Sequence, residues 1–176
     1  MKRKFKISGF TLIELLIVIG IIAVLAAIIF VAVDPARRLA EARNAERWSS
    51  VNAILNATLQ YTVDNAGSLP ATATAIDSIP ATVQLIGEDN TTNCTLATPT
   101  CTGETVYSAA VSGCYVTGLD TDLVDEYLSS MPLDPSTGDA DDTRYFVNRS
   151  GNGRITIGAC DEETVGGSTP TIQVSR

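Results

Sequence analysis

The sequence predicts an α+β fold in which a long N-terminal helix packs on a small antiparallel β-sheet head. Three observations support this prediction: an uncharged apolar run at residues 15–33, an amphipathic helical pattern that follows it, and short alternating strand patterns late in the chain. We therefore expect four segments. They are a basic leader at 1–9, a membrane-spanning helix at 10–33, an amphipathic helix half at 34–65 and a globular head at 66–176.

The apolar run is long enough to cross a membrane. Residues 15–33 carry no charge and would form about 28 Å of helix at roughly 1.5 Å per residue, which matches a hydrocarbon core of about 30 Å. Glu14 lies at the start of this run, and a lone acid at the centre of a membrane helix costs about 2.5 to 3.5 kcal/mol. Because intramembrane acids usually mark function, we expect a role for Glu14. The alternative is an acid that is simply solvated near the lipid headgroups.

The first nine residues differ from a secretory signal peptide. The basic segment MKRKFKISG ends in Gly9 before the apolar run begins, and no small-residue cleavage site closes that run. Phe10 follows Gly9, and Glu14 is the fifth residue counted from Phe10. In this register the sequence resembles the start of a bacterial type IV prepilin or pseudopilin. One departure is that the first proline, Pro35, lies beyond the apolar run, whereas pilins often have a proline within it.

The resemblance implies a series of events at the membrane. A prepilin peptidase would cleave between Gly9 and Phe10 and methylate the new amine of Phe10. An assembly ATPase and an inner-membrane platform protein would then build the mature chain into a homo-oligomeric helical filament. The Phe10 amine is protonated near neutral pH and lies one helical turn from Glu14, or faces Glu14 of a neighbour, so we expect Glu14 to act in assembly.

The charge distribution and the residue types exclude several other functions. The net charge is −8, and residues 48–176 contain four arginines against sixteen acids, so we expect no direct binding of nucleic acid. The chain contains no histidine, which excludes Ser-His-Asp and Cys-His catalytic sites. No glycine-rich phosphate loop follows a predicted strand. We therefore predict that the protein is not an enzyme, and calcium is the one cofactor that the sequence raises.

A second stretch of helix is predicted at residues 34–65. Asp34 suits the N-cap and Pro35 the first helical position. The charged segment that follows, which ends at Arg47, fits a solvated helix face, or alternatively ionic pairing between packed subunits. On the first interpretation the pairs are Arg37–Glu41 and Arg43–Glu46. An apolar stripe at three- and four-residue spacing then predicts the face that packs on the head: Trp48, Val51, Leu55, Leu59 and Val63, with Ile54 beside them.

The head is predicted from short strand and turn patterns. We expect one short helix around residues 81–86 and another in DTDLVDEYLSSMP, which has an acidic start and a proline stop. The turn NRSGNGR predicts an antiparallel hairpin that joins residues 144–148 to residues 154–158. The predicted strands are ETVYSAAV, CYVTGL, TRYFVNRS, GRITIGAC and TIQVSR.

Four cysteines follow the apolar run and favour disulfides in an oxidising compartment: Cys94, Cys101, Cys114 and Cys160. The pairing that we expect is Cys94–Cys101, which closes a local loop, and Cys114–Cys160, which loosely resembles the cysteine-bounded C-terminal region of many pilins. The spacing leaves the other two connectivities open. Buried free thiols and a metal site are the alternatives.

A cluster of aspartates between the short helix and a late strand is a candidate calcium site: Asp134, Asp139, Asp141 and Asp142. Calcium takes six to eight oxygens from carboxylates and loop carbonyls. The region PLDPSTG…TRYFV is similar in a general way to the late loop in which major pseudopilins of type II secretion bind calcium. The alternative is a solvated acidic turn, and the spacing does not match an EF-hand.

These expectations combine into a structural role. The resemblance predicts a subunit of a type IV pilus-like filament, anchored first in the inner or cytoplasmic membrane as a single-pass protein and then exposed in an extracytoplasmic filament or at the cell surface. A pseudopilin of a type II secretion or DNA-uptake system is the alternative within the family. A monomeric, membrane-anchored extracytoplasmic binding protein is the alternative from another class, and it gives no purpose to Gly9, Phe10 and Glu14.

Overall fold

The computed structural model describes residues 9–70, 83–87, 100–101, 104–105, 115–116, 119–140 and 142–176. The chain divides into two compact units, Met1–Leu39 and Ala40–Arg176. The first contains the apolar helix. The second contains the sheet, its own buried core and most of the second helix.

Two helices follow one another at the start of the described chain. Helix α1 spans Leu12–Val33, and its leucines, isoleucines and alanines favour or tolerate helix throughout. It ends where Asp34 adopts a left-handed backbone conformation, with φ 42°. Helix α2 then spans Pro35–Asp64, and the Asp34 Oδ1 atom accepts a hydrogen bond from the Arg37 amide at 3.3 Å. The prediction that a new helix begins at Asp34 and Pro35 is confirmed.

A five-stranded sheet forms the centre of the second unit, in the order β4-β1-β5-β6-β7. A separate two-stranded ribbon pairs β2 with β3, and a short helix, α3, spans Leu119–Leu123. The strands are β1 Gln84–Ile86, β2 Thr100–Cys101, β3 Glu104–Thr105, β4 Tyr115–Val116, β5 Tyr145–Arg149, β6 Ile155–Ala159 and β7 Gln173–Ser175. The α+β class is confirmed.

The sheet differs from the prediction at one edge. The pairings β1–β5, β5–β6 and β6–β7 are antiparallel. Strand β4 instead pairs with β1 in parallel, with Leu85 opposite Tyr115. Parallel strands need a long crossover, and the chain between Ile86 and Tyr115 is long enough to supply one. The helix predicted at 81–86 is also wrong over its described part. Residues 84–86 form β1 because Gln84 and Leu85 pair with β5.

Helix α2 and the sheet enclose one hydrophobic core. Val51, Ile54 and Leu55 of α2 pack with Tyr145 and Ile157 of the sheet. The predicted stripe is correct at its centre and wrong at its ends, since Trp48 is 40% exposed and Val63 is 78% exposed. The buried face runs instead through Arg47, Val51, Leu55 and Thr58, which also recur at three- and four-residue spacing.

The hairpin of β5 and β6 has the predicted turn, and each of its strands begins and ends one residue later than predicted. Tyr145 pairs with Ala159 at one end and Arg149 with Ile155 at the other. Gly158 lies opposite Phe146, and a Cβ atom at Gly158 would overlap the Phe146 ring, so a side chain at this position would displace that ring. The close approach of ring and backbone requires glycine here.

The disulfide between Cys101 and Cys160 corrects the predicted pairing of both residues. Cys101 lies in β2, and Cys160 directly follows β6. Both are buried in a second hydrophobic cluster with Val83, Leu85 and Phe146. The predicted pairing of Cys101 with Cys94 is wrong, because the fold places Cys160 beside Cys101. Cys94 and Cys114 lie outside the described residues.

Candidate processing and assembly site

The residues of the predicted cleavage site lie just outside helix α1. Gly9 and Phe10 are exposed and have no helical or strand assignment. Thr11 is the N-cap, with an extended backbone at φ −81° and ψ 151°. A Cβ atom added at Gly9 would have no neighbour within 4 Å. The bond between Gly9 and Phe10 is therefore sterically open in the described structure.

Thr11 and Glu14 form a capping box at the start of α1. The Thr11 hydroxyl accepts a hydrogen bond from the Glu14 amide at 3.3 Å. In return, the Glu14 Oε2 atom accepts hydrogen bonds from the Thr11 amide at 2.8 Å and from the Thr11 hydroxyl at 2.7 Å. The carboxylate that the sequence places at the start of the apolar run therefore has partners in its own chain.

Two consequences follow from the atoms that make this cap. Every cap atom belongs to Thr11 or Glu14, so cleavage before Phe10 would leave all of its hydrogen bonds in place. Both bonds to the carboxylate use Oε2, and within the described chain Oε1 accepts no hydrogen bond from the cap. A cation from outside the chain can therefore approach Oε1 without uncapping the helix.

Helix α1 exposes all of its side chains. Its leucines, isoleucines and valines are between 49% and 81% exposed. Burying one such side chain is worth about 1.5 to 3 kcal/mol, so covering a helix of this composition with lipid or protein is strongly favoured over exposing it to water. By length and composition, the continuous helical stretch that contains α1 is apolar enough to cross a membrane.

The candidate calcium loop holds a buried ion pair. Asp134 and Arg47 both have fully buried side chains. Asp134 Oδ2 accepts from Arg47 Nε at 2.6 Å, and Oδ1 accepts from Arg47 Nη2 at 3.0 Å. Burial raises the pKa of Asp134, but hydrogen bonds from Arg47 and Ser136 outweigh it and lower the pKa to about 2. The carboxylate that was predicted as a calcium ligand is thus occupied by a guanidinium.

Arg47 is the centre of a larger polar network. Its Nη1 atom donates to the Asn44 side chain at 2.9 Å, and both Nη atoms lie 3.4 Å from Glu163 Oε1. Arg43 also contacts Glu163, at 3.0 Å, so its partner is in the late part of the chain. Sequence reasoning missed Arg47, although its position four residues before Val51 places it on the buried face.

The other described aspartates of the loop have separate partners. Asp139 accepts a hydrogen bond from the Asp142 amide at 2.8 Å, and Asp142 pairs with Arg144 at 3.2 Å. Arg144 also bonds both carboxylate oxygens of Asp161, at 2.7 and 2.8 Å, and lowers the pKa of that acid. Asp141 lies outside the described residues. Within the described chain, no group of three or more acidic or cysteine side chains is arranged to hold a metal.

Comparison with known proteins identifies the start of the chain. Residues 4–30 match the family described as the prokaryotic N-terminal methylation motif. The match covers Gly9, Phe10 and the capping box, and it ends within α1. Searches of the curated proteins and of the solved structures each found no match. The chain thus carries the N-terminal methylation motif that is the hallmark of type IV pilins and pseudopilins.

Proposed function

We propose that this chain is a structural subunit of a type IV pilus-like filament, which polymerises through α1 after a prepilin peptidase removes residues 1–9. The observation that carries the proposal is the combination of the methylation motif with an apolar helix whose side chains are all exposed. The apolar side chains of this helix contact lipid before assembly and other copies of α1 in the filament.

Glu14 has a different partner in each of these two states. In the membrane, Thr11 hydrogen-bonds Oε2 and reduces the penalty of an acid beside hydrocarbon. In the filament, the methylated amine of Phe10 from a neighbouring copy binds Oε1, which the cap leaves open. The cap holds the carboxylate in one place, so the incoming amine sets the axial position of each new subunit.

The second unit forms the part of the subunit that lies outside the cytoplasm. Its Cys101–Cys160 disulfide supports an oxidising compartment, because such bonds are rare where thiols are kept reduced. An assembly ATPase and a platform protein would move the subunit from the membrane into the filament, with this unit at the filament surface. The role is structural rather than catalytic.

Mass spectrometry of surface material from producing cells tests the processing step. The mature chain should lack residues 1–9 and carry one extra methyl group at Phe10. Changing Gly9→Leu should block cleavage without disturbing the chain itself, since a Cβ atom at Gly9 meets nothing within 4 Å. Gly20→Ala is the matched control, because Gly20 has equally open surroundings and lies inside α1, away from the predicted cut.

Electron microscopy of the same cells tests assembly. Filaments that contain the mature chain support the proposal. A processed chain that remains a membrane monomer in the presence of the ATPase and the platform protein would contradict it, and would favour a membrane-anchored binding protein. A chain that still begins at Met1 when it reaches the surface would contradict the processing step itself.

A further inference from the structure

Three arginines that are distant in sequence meet at one corner of the sheet. Arg149 ends β5, Arg154 precedes β6 and Arg176 follows β7. The register brings them together: Arg149 pairs with Ile155, and Ile155 exchanges both backbone hydrogen bonds with Arg176, at 2.7 and 2.9 Å. We refer to Arg149, Arg154 and Arg176 as the arginine corner.

The arginine corner contains no aspartate or glutamate of its own. Residues 147–156 and 164–176 contain no aspartate or glutamate, and no described carboxylate side chain forms an ion pair with these three residues. Arg154 and Arg176 are exposed, and Arg149 is half-buried. Three guanidinium groups carried by neighbouring strand ends make the local charge positive, so an external anion can bind this corner.

The other described arginines of the second unit show which anion this protein uses. Arg43, Arg47 and Arg144 each bind a carboxylate, at 3.0, 2.6 and 2.7 Å respectively. Guanidinium and carboxylate match in geometry, which makes this the strongest common pairing of surface charges. In the proposed filament, neighbouring copies of the same chain supply carboxylates, because each copy carries sixteen acids in residues 48–176.

A surface of opposite charge lies around and beyond α3. Asp122, Asp125 and Glu126 fall within five positions, and residues 119–143 contain no basic residue. Tyr127 donates a hydrogen bond to Asp64 at 3.1 Å, which adds a fourth carboxylate. Loss of solvent, followed by the hydrogen bond to Asp64 and then by the charges of Asp64 and Glu126, raises the pKa of Tyr127 to about 12. We call Asp64, Asp122, Asp125 and Glu126 the acidic face.

We infer that the arginine corner of one subunit binds the acidic face of the next copy in the filament. The inference rests on the proposed function, because it needs copies packed side by side. A helical assembly joins two different surfaces of each copy, and these two surfaces have opposite charge. With sixteen acids against four arginines in residues 48–176, packed copies repel unless such a contact offsets the repulsion.

The test uses the full chain, produced together with its assembly machinery, and counts filaments against membrane-bound monomer. Arg149→Gln/Arg154→Gln should lower the filament fraction about tenfold, as expected for the loss of two moderate ion pairs per junction. The matched control is Ser49→Glu/Asn56→Glu, which changes the net charge by the same amount at exposed positions of α2 and should change the fraction less than about twofold. Thermal melts of the detergent-solubilised monomers should be the same for all variants.

Charge reversal identifies the partner. Arg149→Glu/Arg154→Glu and Asp122→Arg/Glu126→Arg should each reduce filaments, and combining all four changes in one chain should restore them. If the wild-type chain forms filaments and the variants form as many, this inference is overturned and the proposed function still stands. The inference is also overturned if the arginine variant loses filaments but the acidic variant does not, or if the chain with all four changes does not regain them. In either case the arginine corner does not bind the acidic face. Absence of wild-type filaments would instead refute the proposed function.

Discussion

The buried pair of Arg47 and Asp134 gives the sharpest test of how the second unit is held together. Asp134→Asn removes the negative charge and turns an amide donor toward the guanidinium, while the remaining oxygen can still accept from Ser136 and Thr137. Arg47 then remains buried with Glu163 as its nearest described carboxylate, at 3.4 Å. Leaving one charge of a buried pair uncompensated costs about 3 to 5 kcal/mol of unfolding free energy.

The expected change in melting temperature follows from the size of the unit. For a unit of intermediate size, 3 to 5 kcal/mol corresponds to a Tm lower by about 10 to 20 °C. The single tryptophan, Trp48, is adjacent to Arg47 in sequence and only partly exposed, so its fluorescence reports unfolding at the site. Full-length protein in detergent is suitable for the measurement.

Two further variants separate the buried pair from a general effect of charge. Arg43→Gln breaks the Arg43–Glu163 pair, whose side chains are 33% and 27% exposed, and should cost less than about 1 kcal/mol. Arg47→Met/Asp134→Asn removes both charges and should be more stable than Asp134→Asn alone. If Asp134→Asn melts within a few degrees of Arg43→Gln, or if the double variant is the least stable of the three, the reasoning is refuted.

Three other predictions concern assembly, the disulfide and pH. Glu14→Leu should leave cleavage and membrane-bound monomer at wild-type levels or above and should abolish most filaments, as seen by immunoblot and electron microscopy. Reducing the Cys101–Cys160 disulfide, whose residues are 59 positions apart, should destabilise the second unit by about 4 kcal/mol on the chain-entropy model, measured as a lower Tm. The pKa of Asp134 is about 2 when folded, below its ordinary value of about 3.9, so its stabilisation is present above pH 4 and is lost as pH falls toward 2.

Each of these predictions has a result that would contradict it. Normal filament numbers with Glu14→Leu would make the carboxylate a bystander in assembly. An unchanged Tm under reductant would mean that packing of the second hydrophobic cluster, not the disulfide, holds Cys160 in place. Part of the stability lost in acid should come from Asp134 and should therefore be absent in Asp134→Asn. If stability depends on pH identically in wild type and variant, Asp134 is not the source of that loss.

The sequence by itself determined the features that depend on neighbouring residues. The register of Gly9, Phe10 and Glu14, the apolar composition of α1 and the new helix at Asp34 are all local. Those first three named residues lie within the matched motif, and the structure confirms the new helix. The hairpin of β5 and β6 was predicted to within one residue for the same reason, because its turn residues are contiguous. Helix periodicity also located the centre of the α2 core.

The tertiary structure alone decided which distant residues meet. Arg47 was read as part of a solvated face, yet it lies in the core because Asp134, 87 positions away, neutralises it there. Cys101 pairs with Cys160, strand β4 runs parallel to β1, and the arginine corner assembles from three strand ends. A local sequence pattern sets the conformation of a segment. The partner of a buried charge, a thiol or a strand edge depends instead on the packed core, because the core decides which segments come within bonding distance.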